Sequence, residues 1–139
     1  GLVRIFIETD RKEVTQWITT SDYFLTDLGS LFFDQPARWN MQALTDCDLY
    51  TIQGTDFYNL NQVVPEWEKL QKLFIAKCFM TLEERVFSFL SMTAEQRFQL
   101  LFQIQPNLFN ELPLHYLASM LGMTPETLSR IRKRIASKG

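Results

Sequence analysis

Leu114-His115-Tyr116-Leu117-Ala118-Ser119-Met120-Leu121-Gly122-Met123-Thr124-Pro125-Glu126-Thr127-Leu128-Ser129-Arg130-Ile131 is the stretch that decides the reading of this chain. Pro113 starts a short helix that carries Leu114, Tyr116, Leu117 and Leu121 and stops at Gly122. Glycine is the residue expected just past a helix C-terminus. Thr124 then caps a second helix, with Pro125 at its first position and Glu126 in its first turn. That helix buries Leu128, Ile131 and Ile135. Two helices joined this closely form a helix-turn-helix, and the small Ala118 suits a close crossing. Glu126, Thr127, Ser129, Arg130, Lys133 and Arg134 lie on the faces away from the apolar residues. A solvated surface helix has the same pattern, so the chemistry of the polar face decides. Arg reads guanine O6 and N7, Glu accepts from cytosine N4, and Ser or Thr hydrogen-bonds bases or touches the thymine methyl. The start of the second helix is the part that reaches base edges. Thr124 and Thr127, with the free backbone N–H groups of this helix start, are expected to hold a phosphate.

Working back from there, Thr93-Ala94-Glu95-Gln96 is a capping box for a helix with Phe98, Leu101 and Phe102 inward. Before it, Pro65 precedes a run from Glu66 to about Leu90 that contains neither Gly nor Pro. At 1.5 Å per residue this is a rod of about 39 Å. Trp67, Leu70, Phe74 and Cys78 line one apolar stripe, and Leu73, Ala76, Met80, Phe87 and Leu90 line others. A helix apolar on several sides packs on its own domain and on something else. A second copy is the economical partner, so Trp67, Leu70, Phe74 and Cys78 are expected to form a homodimer interface. Residues 55–62 read as a short helix with Thr55 or Asp56 as its cap. Residues 2–53 read as short strands: Val3, Ile5 and Ile7 alternate with Arg4, Phe6 and Glu8, and Val14–Thr19, Arg38–Leu44 and Asp48–Gln53 follow. The fold class is therefore α+β.

Composition sets the bounds. The chain has 139 residues, 46% hydrophobic and 22% charged, with twelve Phe, three Trp and four Tyr, as a folded protein requires. It has no run of apolar residues long enough for a transmembrane helix, so no membrane partner is expected. Cys47 and Cys78 form neither a CxxC site nor a disulfide framework, and a reducing cytoplasm is the simplest reading. Net charge is −2, unevenly spread. From Leu114 onward, five basic residues stand against Glu126, a local net of +4; the remainder has nine basic and fifteen acidic residues, a net of −6. A basic end on an acidic body points to a polyanion partner.

The quoted stretch resembles the helix-turn-helix of Crp/Fnr transcription regulators, most specifically in its Gly-x-Thr-x-Glu-Thr-x-Ser-Arg run. These combine a β-roll sensor of the cyclic-nucleotide-binding type, a long dimerisation helix and a C-terminal DNA-binding domain. The resemblance implies the same order here: a partial β-roll over 1–63, a dimerisation helix over 64–91 and the helix-turn-helix domain over 92–139. It implies base contacts from Glu126 and Arg130, and half-sites of TTGA type from Ser129, which occurs in the Fnr-like branch. Pro125 departs from the cyclic-AMP-receptor branch, where an Arg adds a base contact. RNA polymerase is a further candidate partner, and the match begins inside the roll, so a longer native protein is expected.

The sensor half departs further from the family. Its nucleotide-binding members carry Gly-Glu, then Arg followed by Ser or Thr. The corresponding stretches here are Phe24-Leu25-Thr26-Asp27-Leu28-Gly29 and Pro36-Ala37-Arg38-Trp39-Asn40, without the Gly-Glu pair or the hydroxyl after Arg38. Leu82-Glu83 stands where the family's Thr-Ser meets adenine. A cyclic phosphate needs a fixed cation and several donors, so this is a poor cyclic-nucleotide site. Thr26, Asp27, Leu28, Arg38 and Trp39 are the candidate effector-pocket residues, with no effector identified. An ion pair within the domain between Asp27 and Arg38 is favoured over an anion site. Iron–sulfur sensing needs four cysteines and haem sensing an axial His; the chain has two Cys and only His115, inside the helix-turn-helix. No resident cofactor or metal is expected.

The pattern is compatible with three classes of function. The first is a dimeric, sequence-specific transcription regulator with allosteric effector control. The second is an interaction module that dimerises and binds a protein partner without ligand control. The third is a cupin-type enzyme, which a single His outside the β region disfavours; no triad or P-loop pattern is present either, so the expectation is no enzyme.

Overall fold

Val3–Glu8 (β1) and Glu13–Thr19 (β2) form an antiparallel hairpin in a computed structural model that describes residues 1–137. The turn closes locally: the Thr9 N–H and hydroxyl both donate to the Lys12 carbonyl, at 3.0 and 2.7 Å. Asn40–Ala43 (β3) adds to the other side of β1, giving a three-stranded antiparallel sheet in the order β2-β1-β3. Val3 faces Thr19 on one side and Ala43 on the other. The register slips between Ile5 and Phe6, where Gln16 is the extra residue on β2. On β1, Val3, Arg4 and Phe6 are buried and Ile5 and Ile7 half-buried, so both faces of the strand are covered.

Arg38–Leu44 shortens to β3, and Asp48–Gln53 forms no strand at all. A period-two pattern makes a strand only where a neighbour accepts its ladder, and Leu49, Tyr50 and Ile52 stay exposed with no such neighbour. Leu28–Phe33 (α1) is a helix that the strand reading missed.

Chain contacts divide the molecule into two compact units: Gly1–Asp48 with Thr93–Gly139, and Leu49–Met92. The second unit holds Gly54–Asn59 (α2), a 3-10 turn at Leu60–Gln62, and Trp67–Ser91 (α3). Gln53, not Thr55 or Asp56, is the N-cap of α2, and Phe57 is the buried residue of that helix. The Trp67 ring meets Phe57 edge-on, centroids 5.2 Å apart. α3 runs 25 residues and buries none of them.

In the first unit, Thr93 opens Ala94–Ile104 (α4) with the expected reciprocal cap: its Oγ1 accepts from the Gln96 N–H, and the Gln96 Oε1 accepts from the Thr93 N–H. Phe98 is buried and meets Phe109 of Leu108–Glu111 (α5) edge-on at 5.0 Å. Phe102 stacks on Phe98 at 5.8 Å but remains 47% exposed, so it borders the core instead of filling it.

Leu114–Met120 (α6) and Pro125–Ala136 (α7) follow. Gly122 between them has φ 66°, a left-handed conformation that glycine adopts without a Cβ penalty. The Gly122 N–H donates to the Ser119 carbonyl at 3.1 Å, and the Met123 N–H to the Ala118 carbonyl at 2.9 Å. These two bonds close the C-terminus of α6 as a Schellman motif. Arg97 Nε on α4 takes the Leu121 carbonyl at 3.0 Å. Leu117, Ala118 and Leu128 are fully buried, and Ile131 nearly so. One core joins them to Leu2 and Ile18 of the sheet and to Phe98, Leu108, Phe109, Leu112, Met120 and Leu121. The β2 strand is tied to α6 directly: the Thr15 N–H donates to Ser119 Oγ at 2.9 Å.

Candidate functional site

The start of α7 is built by Thr124. Its Oγ1 accepts from the Thr127 N–H at 3.2 Å, and the two hydroxyls also lie 3.2 Å apart. Pro125 brings the fixed φ of a first helical residue and no N–H. Its own backbone N–H first, then the Thr124 hydroxyl, hold the Glu126 carboxyl below the usual carboxylate range. Of the backbone donors expected at this helix start, Pro125 has no N–H and the Thr127 N–H is taken by the Thr124 hydroxyl.

Glu126, Ser129, Arg130 and Lys133 line one open groove of about 610 Å³, together with Leu114 and Pro125. Arg130 and Lys133 are exposed, while Ser129 is half-buried beside the core residue Leu128. The spacing of these four on one helix face was legible in the sequence. The apolar wall from Leu114 was not, because it comes from α6. Arg134 lies outside the groove and pairs with Glu95 of α4. It is thus an intramolecular partner before it is a phosphate contact, although a surface pair of this kind is worth little and exchanges readily. Lys138, counted above in the basic end, lies outside the described residues.

The candidate effector residues are arranged around one carboxylate. Asp27 is the N-cap of α1 and only 9% exposed. Its Oδ1 accepts from the Ser30 N–H at 3.0 Å; its Oδ2 accepts from the Arg38 N–H at 2.8 Å and the Trp39 N–H at 3.3 Å. These donors, Ser30 first, hold its pKa below the ordinary value. The expected Asp27–Arg38 ion pair is not formed. Asp27 takes the Arg38 backbone, and the Arg38 guanidinium sits over the Trp39 ring at 5.1 Å. Leu28 opens α1, 36% exposed, and Thr26 is half-buried. Gly29 lies close under the cap: a Cβ there would stand 3.2 Å from Asp27 Oδ1.

On α3, Trp67, Phe74 and Cys78 are half-buried, and only Leu70 of the expected dimerisation stripe is exposed. Exposed apolar residues run round the rest of the helix, with Leu73, Met80, Phe87 and Leu90 at 58%, 60%, 64% and 82%. Ile75, Phe79, Leu82, Val86 and Phe89 are 37%, 62%, 47%, 56% and 39% exposed. Their spacing alternates between four and three, the spacing of a coiled-coil seam.

Arg4 is the functional candidate that the sequence reading passed over. It is 2% exposed and makes side-chain hydrogen bonds to both neighbouring strands. Cys47 and Cys78 are free thiols. Among the described residues no three His, Cys, Asp or Glu side chains gather as a metal site. No helix there is long and apolar enough to cross a membrane. Comparison with protein-family models and with curated proteins finds no match to this chain.

Proposed function

We propose that the chain is a dimeric, sequence-specific DNA-binding transcription regulator of Crp/Fnr type. In this reading α6 and α7 are a helix-turn-helix, α3 is its dimerisation helix, and the sheet is part of an effector-sensing roll. The observation that carries the reading is the groove on α7. Glu126, Ser129, Arg130 and Lys133 share one open face, over a helix pinned from behind by Leu128 and Ile131. A helix only needing solubility has no reason to gather an acceptor, a hydroxyl and two cations on that face.

The roles follow from chemistry. Arg130 offers a guanidinium fork to guanine O6 and N7, and Ser129 faces a base edge or a thymine methyl. Glu126 accepts from cytosine N4. Lys133 neutralises a phosphate, Arg134 does so by exchanging Glu95 for the backbone, and Thr124 and Thr127 shape the helix start that sits over it. The α3 seam of Ile75, Phe79, Leu82, Val86 and Phe89 meets its copy, and a dimer of this type reads two half-sites about 34 Å apart. A cytoplasmic setting and contact with RNA polymerase belong to the same reading.

Asp27 argues against a cyclic nucleotide as the effector. The backbone donors that an anion would use are already filled by this chain's own carboxylate. A phosphate entering there would meet a negative charge. A cyclic phosphate is therefore not the ligand of these donors.

Selection from random duplexes tests the proposal. It is expected to enrich inverted repeats of TTGA-type half-sites spaced by about one helical turn. Recovery of no common sequence, with dimerisation retained, contradicts it and favours the protein-binding module.

A further inference from the structure

Arg4 on β1 carries a buried charge, 2% exposed. Arg4 Nε donates to Thr15 Oγ1 at 2.8 Å, and Nη1 donates to Glu13 Oε2 at 2.6 Å and to Gln42 Oε1 at 3.4 Å. The guanidinium carbon also stands 4.1 Å from the centre of the Phe6 ring and 4.2 Å from that of Tyr116 on α6. Thr15, which takes the Nε bond, donates its own N–H to Ser119 Oγ on the same helix. The sheet is thus joined to α6 twice, by an aromatic stack on a cation and by a hydrogen bond.

Stability alone does not explain this choice. A buried ion pair roughly breaks even against apolar residues of similar volume. A guanidinium held by three acceptors, with rings against its faces, fixes position instead. Glu13 is half exposed, its side chain 50% open. The ion pair therefore has one end at water, where the hairpin can be moved from outside. On the other side, α6 passes any displacement on: Leu117 and Ala118 pack in one core with Leu128 and Ile131 of α7.

We propose that Arg4 is a positioning residue for α7, the joint through which the β1–β2 hairpin sets α6 and thereby the reading helix. This rests on the DNA-reading role of α7 proposed above. The linkage is reciprocal: what moves the hairpin changes DNA discrimination, and DNA binding changes the hairpin.

The test uses the full chain with Arg4→Met, which keeps the stem and removes the fork. Hydrogen exchange of the free protein is the first arm. Amides of Thr15, α6 and α7 are expected to exchange about tenfold faster, while α3 stays within about twofold. Acceleration confined to β1–β2, or spread equally through α3, overturns the joint. DNA binding is the second arm: affinity for the selected repeat is expected to fall about fivefold, with scrambled DNA unchanged. Equal loss on both duplexes also overturns the joint, because a role in folding alone weakens both. A wild-type chain that prefers neither duplex instead overturns the reading role of α7, and the exchange arm still decides whether Arg4 ties the sheet to α6. Tyr116→Leu removes the other half of the stack and gives the same pattern if Arg4→Met does not fold.

Discussion

α7 and α3 solve the amphipathic problem in opposite ways. α7 hides Leu128 and Ile131 against its own unit and turns Glu126, Arg130 and Lys133 outward. α3 hides none of its 25 residues and turns Ile75, Phe79, Leu82, Val86 and Phe89 outward. The first helix is complete within one chain and offers a charged face, which suits a polyanion. The second is complete only when another apolar surface covers it. Under the function proposed above, the open face of α7 meets DNA and that of α3 meets a second copy.

The sharpest break in this comparison is truncation of equivalent leucines. Leu128→Ala removes a fully buried side chain and is expected to cost about 2–5 kcal/mol in chemical denaturation. Leu82→Ala is expected to change monomer stability by no more than about 0.5 kcal/mol, yet to weaken self-association in sedimentation. A large loss of monomer stability from Leu82→Ala would mean that α3 is already covered.

Next comes the polar face of α7. Arg130→Ala is expected to cost roughly 1–3 kcal/mol on the selected site and to relax discrimination at one guanine position. Equal loss on scrambled DNA would remove Arg130 from base reading.

Asp27 probes the sheet side of the molecule. Asp27→Ala removes a helix cap and the acceptor for two further N–H groups, at an expected cost of about 1–2 kcal/mol at pH 7. The folded pKa lies below the unfolded one. The stabilisation is therefore complete above the ordinary carboxylate value of about 4 and fades as pH falls through the folded value. Urea titrations of wild type and variant should converge in that acid range; a constant gap would assign the loss to packing.

The smallest effect belongs to Lys133. Its replacement by Ala is expected to weaken all duplexes alike and to lower the salt slope of binding by about one unit.

What the sequence revealed depends on the range of the interaction. The Thr93–Gln96 box, the Gly122 turn and the Thr124 cap are each settled within a few residues, and the quoted pattern located them. α1 is hidden in the sequence because residues 24–29 align with a family's binding loop, although Asp27, three residues before the Ser30 N–H, is also a cap signal. Arg4 could not be read from spacing: the contact beside it, Thr15 to Ser119, spans 104 positions. On α3 the composition was apolar on every side, so the pattern announced an interface without choosing its face. The helical spacing puts Glu126, Ser129, Arg130 and Lys133 on one face of α7, whereas Leu114, which joins them in the groove, comes from α6.

Binding of the full chain to an inverted repeat of TTGA-type half-sites and to its scramble, by fluorescence anisotropy at one fixed salt concentration, tests the central claim most directly. The account predicts a preference of about a thousandfold for the repeat. Equal affinity for the two duplexes would contradict it.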